Sequence, residues 1–407
     1  MMAPYSSLFL LAIVGLSNAA PSRVQHTPNT AIHPRAVCTP TSSGDSSTDD
    51  VPAITEALTS CGNGGTIVFP EGSTYYLNSV LDLGKCSNCD IQVEGLLKFA
   101  SDTDYWSGRT AMISVSDVDG LKLRSLTGSG VIDGNGQDAY DLFAQDSSYK
   151  RPTLLYITGG SNIEISGLRQ KNPPNVFNSV KGAATNIAFS NLRMDATSKS
   201  DNPAKNTDGF DIGESTYVTI TEVTVVNDDD CVAFKPSSNY VTVDTISCTG
   251  SHGISVGSLG KSNADSVKNI YVTGATMINS TKAAGIKTYP SGDSHGVSTV
   301  SNVTFTDFTV ENSDYAFQIQ SCYGEDDDYC EEHPGNAQLT DVTVSGFSGT
   351  TSDKYDPVVA NIDCGADGKC GITISGFEVK APSGDAEVLC ANTPSDLGVT
   401  CTSGASG

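Results

Sequence analysis

Ten short stretches along the chain share one pattern: a polar residue or glycine, an apolar residue, any residue, an apolar residue, two polar or small residues, then an apolar residue. They read DIQVEGL at 90, GLKLRSL at 120, NIEISGL at 162, NIAFSNL at 186 and YVTITEV at 217. The series continues with YVTVDTI at 240, NIYVTGA at 269, NVTFTDF at 302, DVTVSGF at 341 and GITISGF at 371. Alternation of this kind is the period-two signature of a strand with one buried face. The spacing between starts runs from 23 to 42 residues. A constant strand motif at variable spacing predicts the coils of a solenoid whose loops differ in length.

Hairpin turns every 8–12 residues, the mark of a sandwich, are missing. So are the leucine and asparagine positions of a leucine-rich repeat. The expectation is an all-β fold, a single-stranded parallel β-helix. The segment DDVPAITEALTSCG at 49–62 has helical spacing and is expected to cap the N-terminal end, where an open sheet edge must be covered. No linker interrupts the series, so 36–407 is one domain. Ahead of it, Leu8–Leu16 is a short apolar run followed by Ser17, Asn18, Ala19 and Ala20. That predicts a secretory signal over 1–19, too short to span a bilayer, with 20–35 a pro-segment or disordered N-terminus.

Composition sharpens this picture. The 407 residues include 40 glycines and one tryptophan, and net charge is −24. Removing 1–35 takes away Arg23 and Arg35 and no acid. Such a balance argues against nucleic acid as a partner and favours work in mild acid, where a polyanionic substrate is less repelled. All twelve cysteines follow Arg35, so six disulfides are possible in an oxidising compartment. Sequence neighbours are the natural partners: Cys231 with Cys248, Cys322 with Cys330, Cys364 with Cys370, Cys390 with Cys401. Cys86 and Cys89 form a CxxC, for which zinc is the weaker reading without a second pair. Asn279 (NST) and Asn302 (NVT) are glycosylation acceptors. A secreted, soluble monomer is expected, with no membrane attachment.

Candidate chemistry clusters between Asn206 and Lys287. The chain reads NTDGFDIG at 206–213, DDDC at 228–231, SHGISVGSLG at 251–260 and GIK at 285–287. In a β-helix, residues one rung apart stack about 4.8 Å apart. Asp208 precedes the strand at 217 by nine residues, and Asp230 precedes the strand at 240 by ten. Asp208, Asp229 and Asp230, then His252 and Lys287, are therefore expected in equivalent turns, lining one stripe. Each alone has a plain alternative, because Asp is common at turns. Together at rung spacing they form a costly group of like charges, which raises at least one pKa and points to function. Paired carboxylates on a groove suit hydrolysis of an extended glycan, one protonated acid serving the leaving oxygen and the others activating water.

NTD, DDC, the GHG-like SHG and the IK of an R-I-K motif, in this order and spacing, resemble glycoside hydrolase family 28, the polygalacturonases. The resemblance runs from Cys38 to Cys401. It implies a right-handed parallel β-helix and an inverting mechanism without metal or other cofactor. Carried over, Asp229 resembles the general acid, and Asp208 with Asp230 the pair activating water. His252 resembles the histidine supporting the acid's protonation. Asn206, Lys287 and Tyr323 resemble substrate binders, and Cys231–Cys248 a disulfide beside the site. Gly285 stands where the family has arginine. Its lack of a side chain is expected to forfeit a grip on a uronate carboxylate and to leave space for a branch.

Among family members the chain is thus similar to those that cut a galacturonan backbone carrying xylose, with exo- or endo-action on unsubstituted galacturonan as the alternative. Stretch GSHGISVGSLGK is also similar to exopolygalacturonases. Two rival classes remain: a calcium-dependent pectate lyase, which would need a cationic base, and a non-catalytic binding solenoid.

Overall fold

A computed structural model describes residues 35–407. The signal and residues 20–34 of the expected N-terminal segment lie outside the described residues. The chain winds into a right-handed parallel β-helix, and every strand pairing among the described residues is parallel. One sheet holds twelve strands and the other seventeen.

The repeated motif is the larger sheet's register. Its second positions pair in sequence: Ile163 with Ile187, then Val218, Val241, Ile270, Val303, Val342 and Ile372. Each points inward and is buried. The motif's sixth position bends the strand by adopting positive φ, at Gly167, Asn191, Glu222, Thr245, Gly274, Asp307, Gly346 and Gly376. This bend explains the two consecutive polar positions, which break the alternation. Beyond it the seventh positions stack as a core ladder, with Phe308 and Phe347 rings parallel at 4.5 Å. The motif at 90 is displaced from the others: Ile91 pairs with Leu123, two positions along from Leu121.

Two central strands of the smaller sheet do not alternate. Asp230–Phe234 and Ala284–Thr288 are buried at every residue. A parallel strand covered on both sides loses the period-two signal, so these strands are legible through their chemistry alone. The cap is the helix Val51–Cys61, with Val51, Ile54, Ala57, Leu58 and Cys61 buried. Asp49 and Asp50 pin its start to the first coil, their carboxylates accepting from the backbone of Val51 and Tyr76. Another helix, Gln137–Gln145, is a loop insertion that the strand motif did not disclose. No described helix is long and apolar enough to cross a membrane.

All twelve cysteines are bonded: the four neighbouring pairs, Cys86 with Cys89, and Cys38 with Cys61. The CxxC therefore has no thiolates to offer zinc. Asn279 and Asn302 are both exposed.

Candidate active site

Two adjacent turns of the smaller sheet bring the acids together. Asp208 lies just before the strand Phe210–Ile212, and Asp230 opens the strand Asp230–Phe234. Phe210 pairs with Val232, which puts Asp208 and Asp230 in the same register. Gly209 makes this approach possible, because a Cβ there would sit 2.5 Å from the Cys231 carbonyl oxygen. Asn227 knits the turns by donating to the carbonyl oxygens of Thr207, Asp229 and Asp230 at 2.9–3.1 Å. Oxygens of Asp208, Asp229 and Asp230 lie within 4.8 Å of one another. His252 is one rung further on. Its backbone N–H donates to Asp229, and its Nδ1 lies 3.3 Å from Asp229 Oδ1. Cys231 and Cys248 join the acid strand to the strand leading to His252.

Lys287 departs from the expected stripe. It lies within the strand Ala284–Thr288, in register with Gly257 rather than with the acid turns. Its chain reaches back along the groove floor, and Nζ meets Asp230 Oδ2 at 2.6 Å. Ser255 Oγ holds the other Asp230 oxygen at 2.8 Å. Tyr323 lies 5.5 Å from the Lys287 ammonium, measured to the ring centroid. Asn206 donates to Asp229 Oδ2 at 3.1 Å, and Arg151 fixes that amide by donating to Asn206 Oδ1 at 2.8 Å.

Gly285 requires a correction. It is buried and opens no space. A Cβ there would collide with the backbone carbonyl oxygen of Gln318 and stand 3.0 Å from Cδ and Cε of Lys282. Lys282 has filled the space beside it. Its buried ammonium donates to the His252 carbonyl oxygen at 2.8 Å.

These side chains floor a groove of about 510 Å³. Asp208, Asp229, Asp230, Asn206, Lys287 and Tyr323 all line it. So do Arg151, Lys235, Tyr149, Lys150 and Phe143, which no motif marked. Arg151 and Lys150 precede the strand Thr153–Thr158, far from the acids in sequence. The strand register is the signal that could have found them.

Residues 63–402 match the model of glycosyl hydrolases family 28. The chain belongs to that family. It is 88% identical over 406 residues, the whole of both chains, to endo-xylogalacturonan hydrolase A of Aspergillus tubingensis. Identity is likewise 88%, over the same span, to a probable endo-xylogalacturonan hydrolase A of Aspergillus niger. The crystal structure of endo-xylogalacturonan hydrolase from Aspergillus tubingensis superposes with a TM-score of 0.91 at 91% identity. It covers 91% of this chain and 100% of its own. A polygalacturonase from Erwinia carotovora shares the fold, with a TM-score of 0.69 at 20% identity over 89% of this chain and 97% of its own. The chain is a glycoside hydrolase.

Its electrostatics divide the acids. Burial pushes the Asp208 carboxyl well above the ordinary range, and the charges of Asp211 and Asp229 add to it. Burial acts the same way on Asp229, but the His252 hydrogen bond and charge, the Asp230 N–H and Lys287 outweigh it and hold Asp229 at about 2. Asp230 is also lowered, burial being overcome by Lys287 and Lys282. His252 is raised by its bond to Asp229, burial partly opposing. The shifts favour a proton on Asp208 and on His252 over one on Asp229, whereas a neighbouring-acid argument expects it on Asp229. The Asp229–His252 pair can still hold one proton between them, with Asn206 donating to the other Asp229 oxygen. Three carboxylates this close could share a hard cation. Here each already has partners: Lys287 on Asp230, His252 and Asn206 on Asp229, and Lys235 at 3.9 Å from Asp208.

Proposed function

We propose that this enzyme is secreted and cleaves α-1,4-galacturonosyl linkages within xylose-substituted galacturonan, from inside the chain and with inversion, as a metal-free monomer. The observation carrying the chemistry is the acid triad at the groove floor, with one proton-bearing pair and one lysine-held carboxylate. The one proton shared by the pair passes from His252 to Asp229, which delivers it to the glycosidic oxygen as the bond to the leaving sugar breaks. Asp208, once ionised, and Asp230 orient and deprotonate the attacking water. Lys287 neutralises Asp230 and offers a cation to a uronate, while Tyr323 flanks the same sugar. Support for the xylose branch is the full-length similarity to the Aspergillus enzymes. Gly285 no longer supports it, because Lys282 fills the space beside it.

Inversion is supported by the family resemblance. The carboxylate oxygens approach more closely than the about 6.5–9.5 Å usual between the carboxyl groups of inverting enzymes, so stereochemistry is tested directly. The experiment compares products from bare and xylose-bearing galacturonan, with the first-formed anomer read by NMR. Oligomers from the branched polymer with inverted anomers support the proposal. Monomer release, preference for bare galacturonan, retained anomers or unsaturated products absorbing in the ultraviolet would each overturn the corresponding part.

A further inference from the structure

Charged side chains that face one another across neighbouring coils of the larger sheet are matched by sign. Lys98 is in register with Asp133, Asp133 with Lys171, and Lys171 with Asp195. Lys122 lies between Asp90 and Glu164 in the same way. One pair breaks this order: Arg169 is in register with Arg193 on the adjacent coil. Like charges set directly opposite destabilise a sheet. Among the described residues no other in-register strand pair carries two charges of one sign. Both arginines are exposed. Arg109 donates to the Tyr105 carbonyl oxygen, Arg124 to Asp90, and Arg151 to carbonyl oxygens and Asn206. Arg169 and Arg193, by contrast, have no carboxylate within 4 Å and donate no hydrogen bond among the described residues.

The pair stands in a concave part of the surface. Arg169, Arg193 and Thr224 follow one another on successive coils, and all three line two troughs, of about 330 and 520 Å³, that meet at them. The larger trough follows the bend of the sheet, where Gly167, Asn191 and Glu222 take positive φ. Neither trough shares a residue with the catalytic groove. Lys171, Asp195 and Glu222 also line the troughs, but Lys171 is matched by Asp133 and Asp195 on either side. The two guanidiniums are therefore the uncompensated charge. Neighbouring coils stack about 4.8 Å apart, which sets the two forks side by side. Guanidinium forks bind carboxylates through parallel hydrogen bonds, which a lysine cannot do. In a chain of net charge −24, such a pair is a local positive field that draws an anion. A solvated surface arginine would need no like-charged neighbour. The occupant of matching chemistry is a polyuronate, which carries one carboxylate per sugar and is extended enough to lie along both troughs.

We propose that Arg169 and Arg193 form a non-catalytic docking site for galacturonan on the outer face of the larger sheet, gripping carboxylates of a stretch of polymer that is not in the catalytic groove. The anion site follows from the ladder; the choice of galacturonan rests on the reading of the enzyme as one that acts on that backbone. The test compares wild type, Arg169→Gln, Arg193→Gln and the double variant. Binding is read by affinity electrophoresis in gels holding polygalacturonate, with Asp229→Asn added to each protein so that the polymer is not cut. Kinetics on short oligomers that wild type cleaves are read without that change. Both arginines are exposed and face each other, so their replacement should leave the thermal midpoint in place or raise it. The double variant should bind polygalacturonate about 2–30-fold more weakly, the scale of two exposed ion pairs together. The difference should vanish on fully methyl-esterified polymer and shrink in high salt. On short oligomers kcat and KM should match wild type. Equal retention of all four proteins on polygalacturonate would overturn the docking site, and so would a midpoint that falls in the double variant, since the arginines would then serve the fold. Failure of wild type to cleave any galacturonan, with arginine-dependent retention intact, would overturn the substrate reading and leave the site standing.

Discussion

Replacing Gly285 with alanine should damage catalysis without changing which polymer is preferred. A single methyl at this position meets the Gln318 carbonyl oxygen on one side and Cδ and Cε of Lys282, each 3.0 Å away, on the other. The backbone oxygen belongs to the neighbouring strand, so that strand must shift and the lysine must yield with it. Lys282 then loses its 2.8 Å bond to the His252 carbonyl oxygen. A hydrogen bond to a charged group contributes about 1.5–3 kcal/mol. Overpacking a filled site costs about 1–3 kcal/mol. If the first figure is expressed fully in positioning His252 against Asp229, kcat falls about 10–150-fold. The assay is kcat and KM on bare and xylose-bearing galacturonan, with thermal unfolding measured in parallel. Activity on both polymers should drop by the same factor and the midpoint should fall. Two results would refute the reasoning. Wild-type kcat and midpoint would mean that Lys282 is not displaced. A changed ratio between polymers at unchanged stability would mean that residue 285 reads the substrate.

Asp229→Asn should lower kcat by about 10²–10⁴, the usual contribution of a general acid, while substrate is still bound in a pull-down. The pH profile of kcat/KM should be a bell: activity rises as Asp208 ionises, above the ordinary carboxylate value, and falls as the raised His252 gives up its proton, above 6.5. His252→Gln should move the alkaline limb to lower pH, and an unmoved limb would exclude His252 as the proton reserve. Treatment with EDTA should leave activity intact, since lysines already meet the acids; loss restored by Ca²⁺ would favour a lyase. Converting both Cys231 and Cys248 to alanine should lower stability by about 2–5 kcal/mol, read by denaturant unfolding.

The larger sheet was legible at its repeated motif, whose strands face core on one side and solvent on the other, but short strands such as Thr66–Phe69 and Thr74–Leu77 carried no motif. The smaller sheet was not, since Asp230–Phe234 and Ala284–Thr288 are covered on both sides. The acids and His252 could be placed because rung spacing is a local property: Asp208 and Asp230 differ by one coil and share a register. Lys287 was misplaced for the complementary reason. Five atoms of flexible chain let its ammonium act well away from its own register position, which spacing does not report. Gly285 failed differently. Missing side chains read as empty space in a sequence, yet a close-packed interior leaves such space to a neighbour, here Lys282. Arg151, Lys150 and Asn227 carried no motif at all, because their roles depend on which coil lies beside which.

The division of protons follows from where the cations enter. Asp229 and Asp230 are adjacent in sequence and would both be raised if burial and mutual repulsion alone acted. The C-terminal coils send His252, Lys287 and Lys282 back over them, and these hold both ionised. Asp208 lies on the N-terminal side of the triad, where the nearest compensating charge is Lys235, at 3.9 Å and shared with Asp211. It alone of the three is left raised. Acid and base are thus separated by the direction of the solenoid rather than by their own residue type. Lys235→Met should raise Asp208 further, because the one cation opposing its repulsion from Asp211 and Asp229 is removed. The acid limb of kcat/KM should then move to higher pH while the alkaline limb, set by His252, stays in place. An acid limb that does not move would show that the group titrating there is not Asp208, and the assignment of the water-activating carboxylate would fall with it.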